Sequence, residues 1–425
     1  MMTYEEAIKY LEFTSKRGSC LGLSRVTELL ERMDNPHKRV KLIHVTGTNG
    51  KGSVTKMLSC ILKAQGYKTG LFSSPFVTRV NESIQLGGSE ISDSDFADLI
   101  KDIMPVAEAM DNPPTEFEIT TAAAFEFFSR KKCDVAVIEC GLGGDTDSTN
   151  VIEAPLLSVI TNVELDHSAF LGDTIEEIAE HKSGIIKSGC PVLFGGSSKA
   201  ALKVITEKSR NSKLFTVDYS RLSNVSCKIS GTCFTFGEFD ISISMLGIYQ
   251  PYNAAIALSA VEILRENGLE ISDNAVCEGM KNARLNGRFE LVKENPIVIF
   301  DGSHNPHGVN AAVESIKNYF GSRKVILLMG VMADKEYPEM VKKLSEVACK
   351  AFTVKPCNPR ALESSLLADE FIANGVSAEF STDLKKSVEK ALRYAKEKQI
   401  PLIALGSLYM YSEFKAAMGK AVYSQ

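Results

Sequence analysis

The stretch Val40-Lys-Leu-Ile-His-Val-Thr-Gly-Thr-Asn-Gly-Lys-Gly-Ser53 constrains this chain more than any other. Its first half, with Leu42, Ile43 and Val45, reads as a short buried strand that stops at Gly47. From Lys51 onward the apolar positions Val54, Met57, Leu58, Ile61 and Leu62 recur at helical spacing. A glycine-rich turn between strand and helix aims backbone N–H groups and the positive helix end at one point, which suits a phosphate. Thr48, Asn49, Gly50, Lys51, Gly52 and Ser53 are therefore candidate ATP-binding residues. Lys51 supplies a mobile cation, and Ser53 a hydroxyl that can ligate Mg²⁺. The spacing departs from the usual phosphate loop, because Gly52 separates Lys51 from Ser53. An ordinary strand-to-helix turn with a surface lysine is the structural alternative.

The 425 residues exceed one typical core, so two domains are expected. A hydrophobic content of 44% and a charged content of 24% suit a soluble globular enzyme. The net charge of -5 gives no global electrostatic reason to bind nucleic acid. No run approaches the roughly 18 apolar residues of a membrane span, and the acidic start Met-Met-Thr-Tyr-Glu-Glu has no signal-peptide core. The ten cysteines are scattered without paired zinc spacing, which points to reduced thiols and a cytoplasmic protein.

Apolar runs at Lys68–Ser73, Asp134–Glu139 and Leu156–Thr161 read as further strands, and residues 93–110 and 116–130 as helices. Two more helices precede the phosphate loop, with Ala7, Ile8 and Leu11, then Val26, Leu29 and Leu30, inward. The segment from Ser74 to Glu82 reads as a polar connection with few core residues. Alternating strands and helices imply βαβ units and a mainly parallel sheet. Between 200 and 246 the texture changes. Cys233–Phe236 and Asp240–Met245 alternate in polarity and suggest a small antiparallel addition to that sheet. Residues 251–284 return to helix. A boundary is expected near Asn286–Pro296, giving domains 1–290 and 291–425. The second is a smaller α/β unit of about 130 residues with strands at Ile297–Phe300, Val325–Met329, Ala351–Val354 and Leu402–Leu405.

Polar residues cluster at the carboxyl ends of these strands, where open α/β sheets bind ligands. Ser74 and Glu139 offer hard oxygens suited to Mg²⁺, whereas His167 is a less usual partner for that metal. Singly, Glu139 reads equally as a solvated strand-end carboxylate and His167 as a turn histidine. Lys182 reads as a solvated helix lysine. Asp301 and His304, in Asp301-Gly-Ser-His-Asn-Pro306, can bind a ribose, a base edge or an amine, or cap the following helix. Arg288 lies at the expected boundary.

Several motifs occur in order along nearly the whole chain. They are Thr46–Ser53, Ser73-Ser-Pro-Phe76 with Asn81-Glu82, Thr115-Glu-Phe-Glu118, Glu139-Cys-Gly-Leu-Gly-Gly144 with Thr149-Asn150, Leu165-Asp-His167 and His181-Lys-Ser-Gly-Ile-Ile-Lys187. Gly287-Arg-Phe-Glu290, Asp301–Pro306, Asp334-Lys335 and Gly406-Ser-Leu-Tyr409 follow. Together they resemble the folylpolyglutamate synthase family, often bifunctional with dihydrofolate synthase, within the Mur-ligase superfamily. The resemblance implies an ATP-dependent amide ligase. A folate γ-carboxylate would be phosphorylated by ATP and then attacked by the amine of L-glutamate. It also implies ATP with Mg²⁺ at two positions, Ser53, Ser74 and Glu139 matching one and His167 the second. Lys182 matches a lysine that the family carbamylates, and Lys51, Lys182 and His167 become the expected catalytic set. Arg288, Asp301 and His304 match ATP contacts supplied across a domain cleft. Phe76, Glu116 and Phe117 match the folate side.

Departures are few. Many members have His where Phe76 stands and Arg where Asp145 stands, and the chain lacks the Trp common before Gly287. A monomer is expected, with small-molecule substrates and neither nucleic acid nor membrane as partner. One rival is a cell-wall ligase of the same superfamily, which usually carries an extra N-terminal domain; only about 40 residues precede the phosphate loop here. Another is a phosphate-loop NTPase acting as a switch, which would need neither Lys182 nor the second-domain motifs.

Overall fold

A computed structural model of the chain describes residues 2–18 and 20–423. The chain divides into two compact units. The first comprises Met1–Ser223, Thr235–Ile241 and Tyr252–Ala283, the second Asn224–Phe234, Ser242–Pro251 and Arg284–Gln425. The second unit thus takes up two segments well before 284, which a single cut near residue 290 does not anticipate.

In the first unit, β1 (Lys41–Thr46), β2 (Thr69–Phe72), β3 (Ile84–Leu86), β4 (Ser89–Glu90), β5 (Val135–Glu139), β6 (Leu157–Ile160), β7 (Val192–Phe194) and β8 (Leu214–Thr216) form one sheet. Its order is β4-β3-β2-β5-β1-β6-β7-β8. The strands from β2 to β8 pair in parallel. β1 is central, with Ile43 and Val45 fully buried. That is why it reads as an unbroken apolar run and not as an alternating one. Helices Lys51–Ala64, Glu116–Arg130 and Ile175–Ser183 are among the connections that cover the sheet.

The sheet does carry an antiparallel addition, but at a different place from the one expected. β3 pairs antiparallel with β2, and β4 with β3. Residues 222–243 instead form a separate sheet of β9 (Leu222–Lys228), β10 (Gly231–Phe236) and β11 (Phe239–Ile243), in the order β11-β10-β9. Two-residue turns join these strands, and Gly237 takes φ 57° in the second turn. Such turns let the chain pair with itself, so no edge of the large sheet is needed.

The polar connection after β2 is also more structural than it reads. Asn81 is fully buried; it accepts from Tyr4 Oη at 2.7 Å and donates to Ile91 O at 2.8 Å. The Glu82 carboxylate accepts the backbone N–H groups of Val77 and Thr78 at 2.9 and 3.0 Å. These polar side chains do the work that apolar ones do elsewhere, which hides the segment from a hydrophobicity reading.

The second unit holds a sheet of β12 (Glu290–Lys293), β13 (Val298–Asp301), β14 (Val325–Met329), β15 (Ala348–Val354), β16 (Ser377–Ser381) and β17 (Leu402–Leu405). The order is β12-β13-β17-β14-β15-β16, parallel except for β12. β16 is an edge strand with no buried residue, and its Ser-Ala-Glu-Phe-Ser sequence carries no apolar run.

The helix that leaves the phosphate loop is held by backbone-to-backbone proximity. A Cβ at Gly279, on helix Asp273–Asn282, would stand 2.4 Å from Ile61 Cα and 2.5 Å from Ile61 N. Both are main-chain atoms that cannot swing aside. Gly279→Ala is expected to lower stability by about 1–3 kcal/mol through overpacking, read as a drop in the urea midpoint at unchanged m-value. A midpoint equal to the parent's would show that the two helices separate freely.

Candidate active site

The phosphate loop is shaped by glycine conformations and by its neighbour after β6. Gly47 has φ 151°, and a Cβ there would meet Thr161 Oγ1 at 1.8 Å. Gly50 has φ 82° and caps the helix that begins at Lys51. Helix Lys51–Ala64 therefore starts with Gly52 and Ser53 in its first turn, and the unusual Lys-Gly-Ser spacing follows the helix start. Thr48 N donates to Asn162 O at 3.1 Å, and Asn49 N to Asn162 Oδ1 at 2.8 Å. Thr161 Oγ1 donates to Asn49 O at 2.6 Å. Thr48 Oγ1 donates to Glu164 O at 3.1 Å and accepts from Glu164 N at 3.0 Å. Lys51 Nζ lies over the loop's own carbonyls, 2.8 Å from Gly47 O and 3.3 Å from Thr48 O.

Beside the loop is a small pocket in which Thr48 and Lys51 meet Gly143, Asp166, His167 and Lys182. One wall is the turn after β5. A Cβ on Gly144 would stand 2.7 Å from His181 O and 2.8 Å from Lys182 O. The turn thus lies flush against the helix Ile175–Ser183 that carries Lys182. Thr46 Oγ1 donates to Gly143 O and ties the same turn to the end of β1. Asp147, buried, accepts Leu142 N at 2.8 Å and holds it from behind.

Lys182 is only 3% exposed, which overturns its reading as a solvated helix lysine. Burial first, and then the charge of Lys51, lower its pKa from the ordinary 10.5 to about 7. The amine therefore has a large neutral fraction near neutral pH, and a neutral amine is the form that can react with carbon dioxide. His167, in contrast, has a side chain 44% exposed and a left-handed backbone at φ 54°.

Ser53, Ser74 and Glu139 sit at the carboxyl edge as expected. Ser53 is buried in the first turn of the loop helix, and Glu139, 4% exposed, ends β5. Ser74 follows β2, the strand paired with β5. These three do not line the pocket that gathers Lys51, His167 and Lys182. The Thr115-Glu-Phe-Glu118 motif divides into two roles. Thr115 and Glu118 form a capping box, with Thr115 N donating to Glu118 Oε2 at 2.7 Å, and Arg25 Nε pairs with the same oxygen at 3.0 Å. Phe117 packs on the pocket wall, 2.8 Å from a Cβ placed on Gly141. Glu116 is half-buried, and burial, followed by the charge of Glu12, raises its carboxyl pKa. Phe76 is exposed.

Arg288, Asp301 and His304 belong to the second unit. The Asp301 carboxylate is buried and accepts Phe289 N at 2.8 Å and Ser303 N at 2.9 Å, with Tyr249 Oη at 3.5 Å. It braces the turn that carries Arg288, whose neighbour Phe289 has φ 44°. His304 Nδ1 is 2.9 Å from Gly302 O.

Sequence reasoning singled out His167 but passed over its neighbour Asp166, and missed Thr161 and Asn162. Thr161 and Asn162 stand where β6 gives way to its loop, the position that marked Ser74 and Glu139, while Asp166 lies at the far end of that loop, just before the helix Ser168–Leu171.

A phosphate loop, a carboxyl-edge pocket with two converging lysines and a second parallel α/β unit define a nucleotide-dependent ligase of two units. The Mur ligase middle domain matches residues 45–261, and the Mur ligase glutamate ligase domain matches residues 287–407. The dihydrofolate synthase/folylpolyglutamate synthase of Bacillus subtilis (strain 168) is 37% identical over 97% of this chain and 98% of its own length. The crystal structure of folylpolyglutamate synthase from Thermotoga maritima superposes with a TM-score of 0.85 at 34% identity, covering 97% of this chain and 96% of that one. E. coli FolC, solved in complex with DHPP and ADP, gives 0.83 at 27% identity over 98% and 97%. The chain belongs to the folylpolyglutamate synthase/dihydrofolate synthase family of Mur ligases.

The depressed lysine makes stability depend on pH. Between about pH 7 and 10.5 the unfolded chain holds a proton on Lys182 that the folded chain has released. Stability therefore rises with pH across that window and gains nothing from this group below it. In bicarbonate-free buffer, the urea midpoint of the parent should climb relative to Lys182→Met as pH goes from 7 to 10. Parallel profiles for the two proteins would refute the depressed amine.

Proposed function

We propose that this enzyme ligates L-glutamate to the γ-carboxylate of a tetrahydrofolate at the expense of ATP. The observation that carries the reading is the meeting of Lys51 and buried Lys182 in one pocket beside the phosphate loop. A carboxylate is a poor acylating group until one of its oxygens becomes part of a leaving group. Transfer of the γ-phosphoryl of ATP to the folate carboxylate gives an acyl phosphate and ADP. The glutamate amine then attacks the carbonyl carbon, its proton goes to solvent, the C–O bond to phosphate breaks and the amide forms. Phosphoryl transfer needs placement and charge neutralisation above all. Thr48 and Asn49 give their N–H groups to Asn162 and shape the loop; the amides from Gly50 to Ser53 and the Lys51 ammonium supply both at the β and γ phosphates. Arg288, Asp301 and His304 are proposed as further ATP contacts, Asp301 acting through the turn it braces. Phe76, Glu116 and Phe117 are proposed for the folate side; Phe117, seated on the Gly141 wall, sets where the acceptor carboxylate can reach.

Ser53, Ser74 and Glu139 are proposed for one Mg²⁺ position and His167 for a second. Ser74 Oγ is buried and has no hydrogen-bond partner among the described residues, and coordination would satisfy that orphaned oxygen. Bound Mg²⁺ would offset the negative charge of the nucleotide phosphates. Lys182 is proposed to carry a carbamate formed by its neutral amine and carbon dioxide, which replaces a cation by an anion. That exchange reconciles a buried lysine with a cation-binding site.

The test is whether phosphate release depends on both partners. With ATP and Mg²⁺ present, phosphate should appear only when a reduced folate and L-glutamate are supplied together. Full-rate release without either would overturn the ligase reading in favour of a simple NTPase. Lys51→Ala should lower kcat by about a hundredfold or more. Lys182→Ala should lose activity that added bicarbonate does not restore, whereas bicarbonate should stimulate the depleted parent. The name of the Bacillus subtilis relative covers two activities, so dihydropteroate belongs beside tetrahydrofolate and its one-carbon forms in the substrate panel.

A further inference from the structure

The pocket beside the phosphate loop contains one carboxylate to which the reaction just described gives no task. Asp166 lines it together with Lys51, His167 and Lys182. The Asp166 side chain is 10% exposed, so it is far better shielded than that of His167 at 44%. Its Oδ1 accepts the backbone N–H of His167 at 2.9 Å. That bond helps to hold His167 in its left-handed conformation, which is unfavourable for a residue with a Cβ. The other oxygen, Oδ2, stands 3.9 Å from His167 Nε2.

A separation of 3.9 Å is too long for a hydrogen bond. The two donors are near enough to share one ion after a small turn of the exposed imidazole, since ligands about 2.1 Å from an octahedral Mg²⁺ lie about 3.0 Å apart when adjacent and about 4.2 Å apart when opposite. The chemistry of the donors points the same way. An imidazole alone is a poor match for a hard cation, and a carboxylate oxygen is a good one. No group of three His, Cys, Asp or Glu side chains suited to a metal occurs among the described residues. Two protein ligands, with water and nucleotide phosphate completing the shell, are what Mg²⁺ commonly takes. Independent of this pair, Lys182 lines the same pocket, 3% exposed and without a hydrogen bond or ion pair among the described residues. Lys182 favours a cation here as the proposed carbamate, which replaces its positive charge by a negative one.

We propose that Asp166 is a direct ligand of the second divalent cation, sharing it with His167. The position is then a carboxylate–imidazole pair and not a lone imidazole. The proposal rests on the ligase reading and deepens it. It also explains why the Asp and His are adjacent: the bond from Oδ1 to His167 N–H sets the turn that aims both side chains.

The experiment counts Mn²⁺ bound to the full-length protein in the presence of the ATP analogue AMPPCP, from the electron paramagnetic resonance signal of free Mn²⁺. Asp166→Asn keeps an oxygen to accept the His167 N–H while removing the charge. It should weaken the second Mn²⁺ by at least about tenfold, with the first Mn²⁺ unchanged. The double variant Asp166→Asn/His167→Ala should lose less than the sum of the single losses, because both residues act on one ion. A second Mn²⁺ bound as tightly by Asp166→Asn as by the parent, or strictly additive losses, would overturn the proposal and leave the ligase reading intact. If the parent itself binds a single Mn²⁺ with AMPPCP, the proposal falls together with the two-cation part of that reading. Should Asp166→Asn fail to fold, pulsed measurements on the unmodified enzyme labelled with [¹³C]aspartate decide the matter. An ion coupled to both a histidine nitrogen and an aspartate carbon is the expected result, and nitrogen coupling alone would refute it.

Discussion

Two lysine amines face one small pocket, and that proximity is the constraint on which the site depends. Lys51 lies over the phosphate loop, with its Nζ on the carbonyls of Gly47 and Thr48. Lys182, more deeply buried and held near it, is the one that yields its proton. The division is set by position. Lys51 rests on the loop's own carbonyls, which accept from its ammonium. Lys182 has no comparable acceptor among the described residues and pays the full desolvation penalty. The same burial that makes a charged Lys182 unfavourable makes it reactive as a neutral amine.

The fold was largely legible where the chain is buried on both faces. β1, β2, β5 and β6 announce themselves as apolar runs because both sides of a parallel sheet are covered. Elements that escaped notice lack that signal. β7 is three residues long, β16 is an edge strand without a buried position, and the β3–β4 pair follows a loop whose core is polar. Asn81 and Glu82 do the structural work there through hydrogen bonds, which periodicity does not register.

The site was legible in a different way. Strand-end residues such as Ser74 and Glu139 stand out because a polar side chain terminates an apolar run. Lys182 lies in the last turn of its helix beside Glu180 and His181, with Lys187 just beyond, and nothing local distinguishes it from a solvated lysine. Its burial comes from the glycine turn Gly141–Gly144, about 40 residues earlier in the chain. Only tertiary structure brings the two together. Thr115 and Glu118 show the converse: a motif that looks wholly functional spends half its residues on capping a helix.

The contact between Gly144 and the carbonyls of His181 and Lys182 has a consequence for how such enzymes can diverge. Because main chain touches main chain, no side chain cushions the distance between the turn and the helix. The turn after β5 and the last turn of the lysine-bearing helix cannot drift independently. They behave as one inherited part, to be exchanged between relatives whole or left alone. Variation is freer in exposed segments such as the stretch around Phe76, where a side chain can change without moving the backbone of that turn.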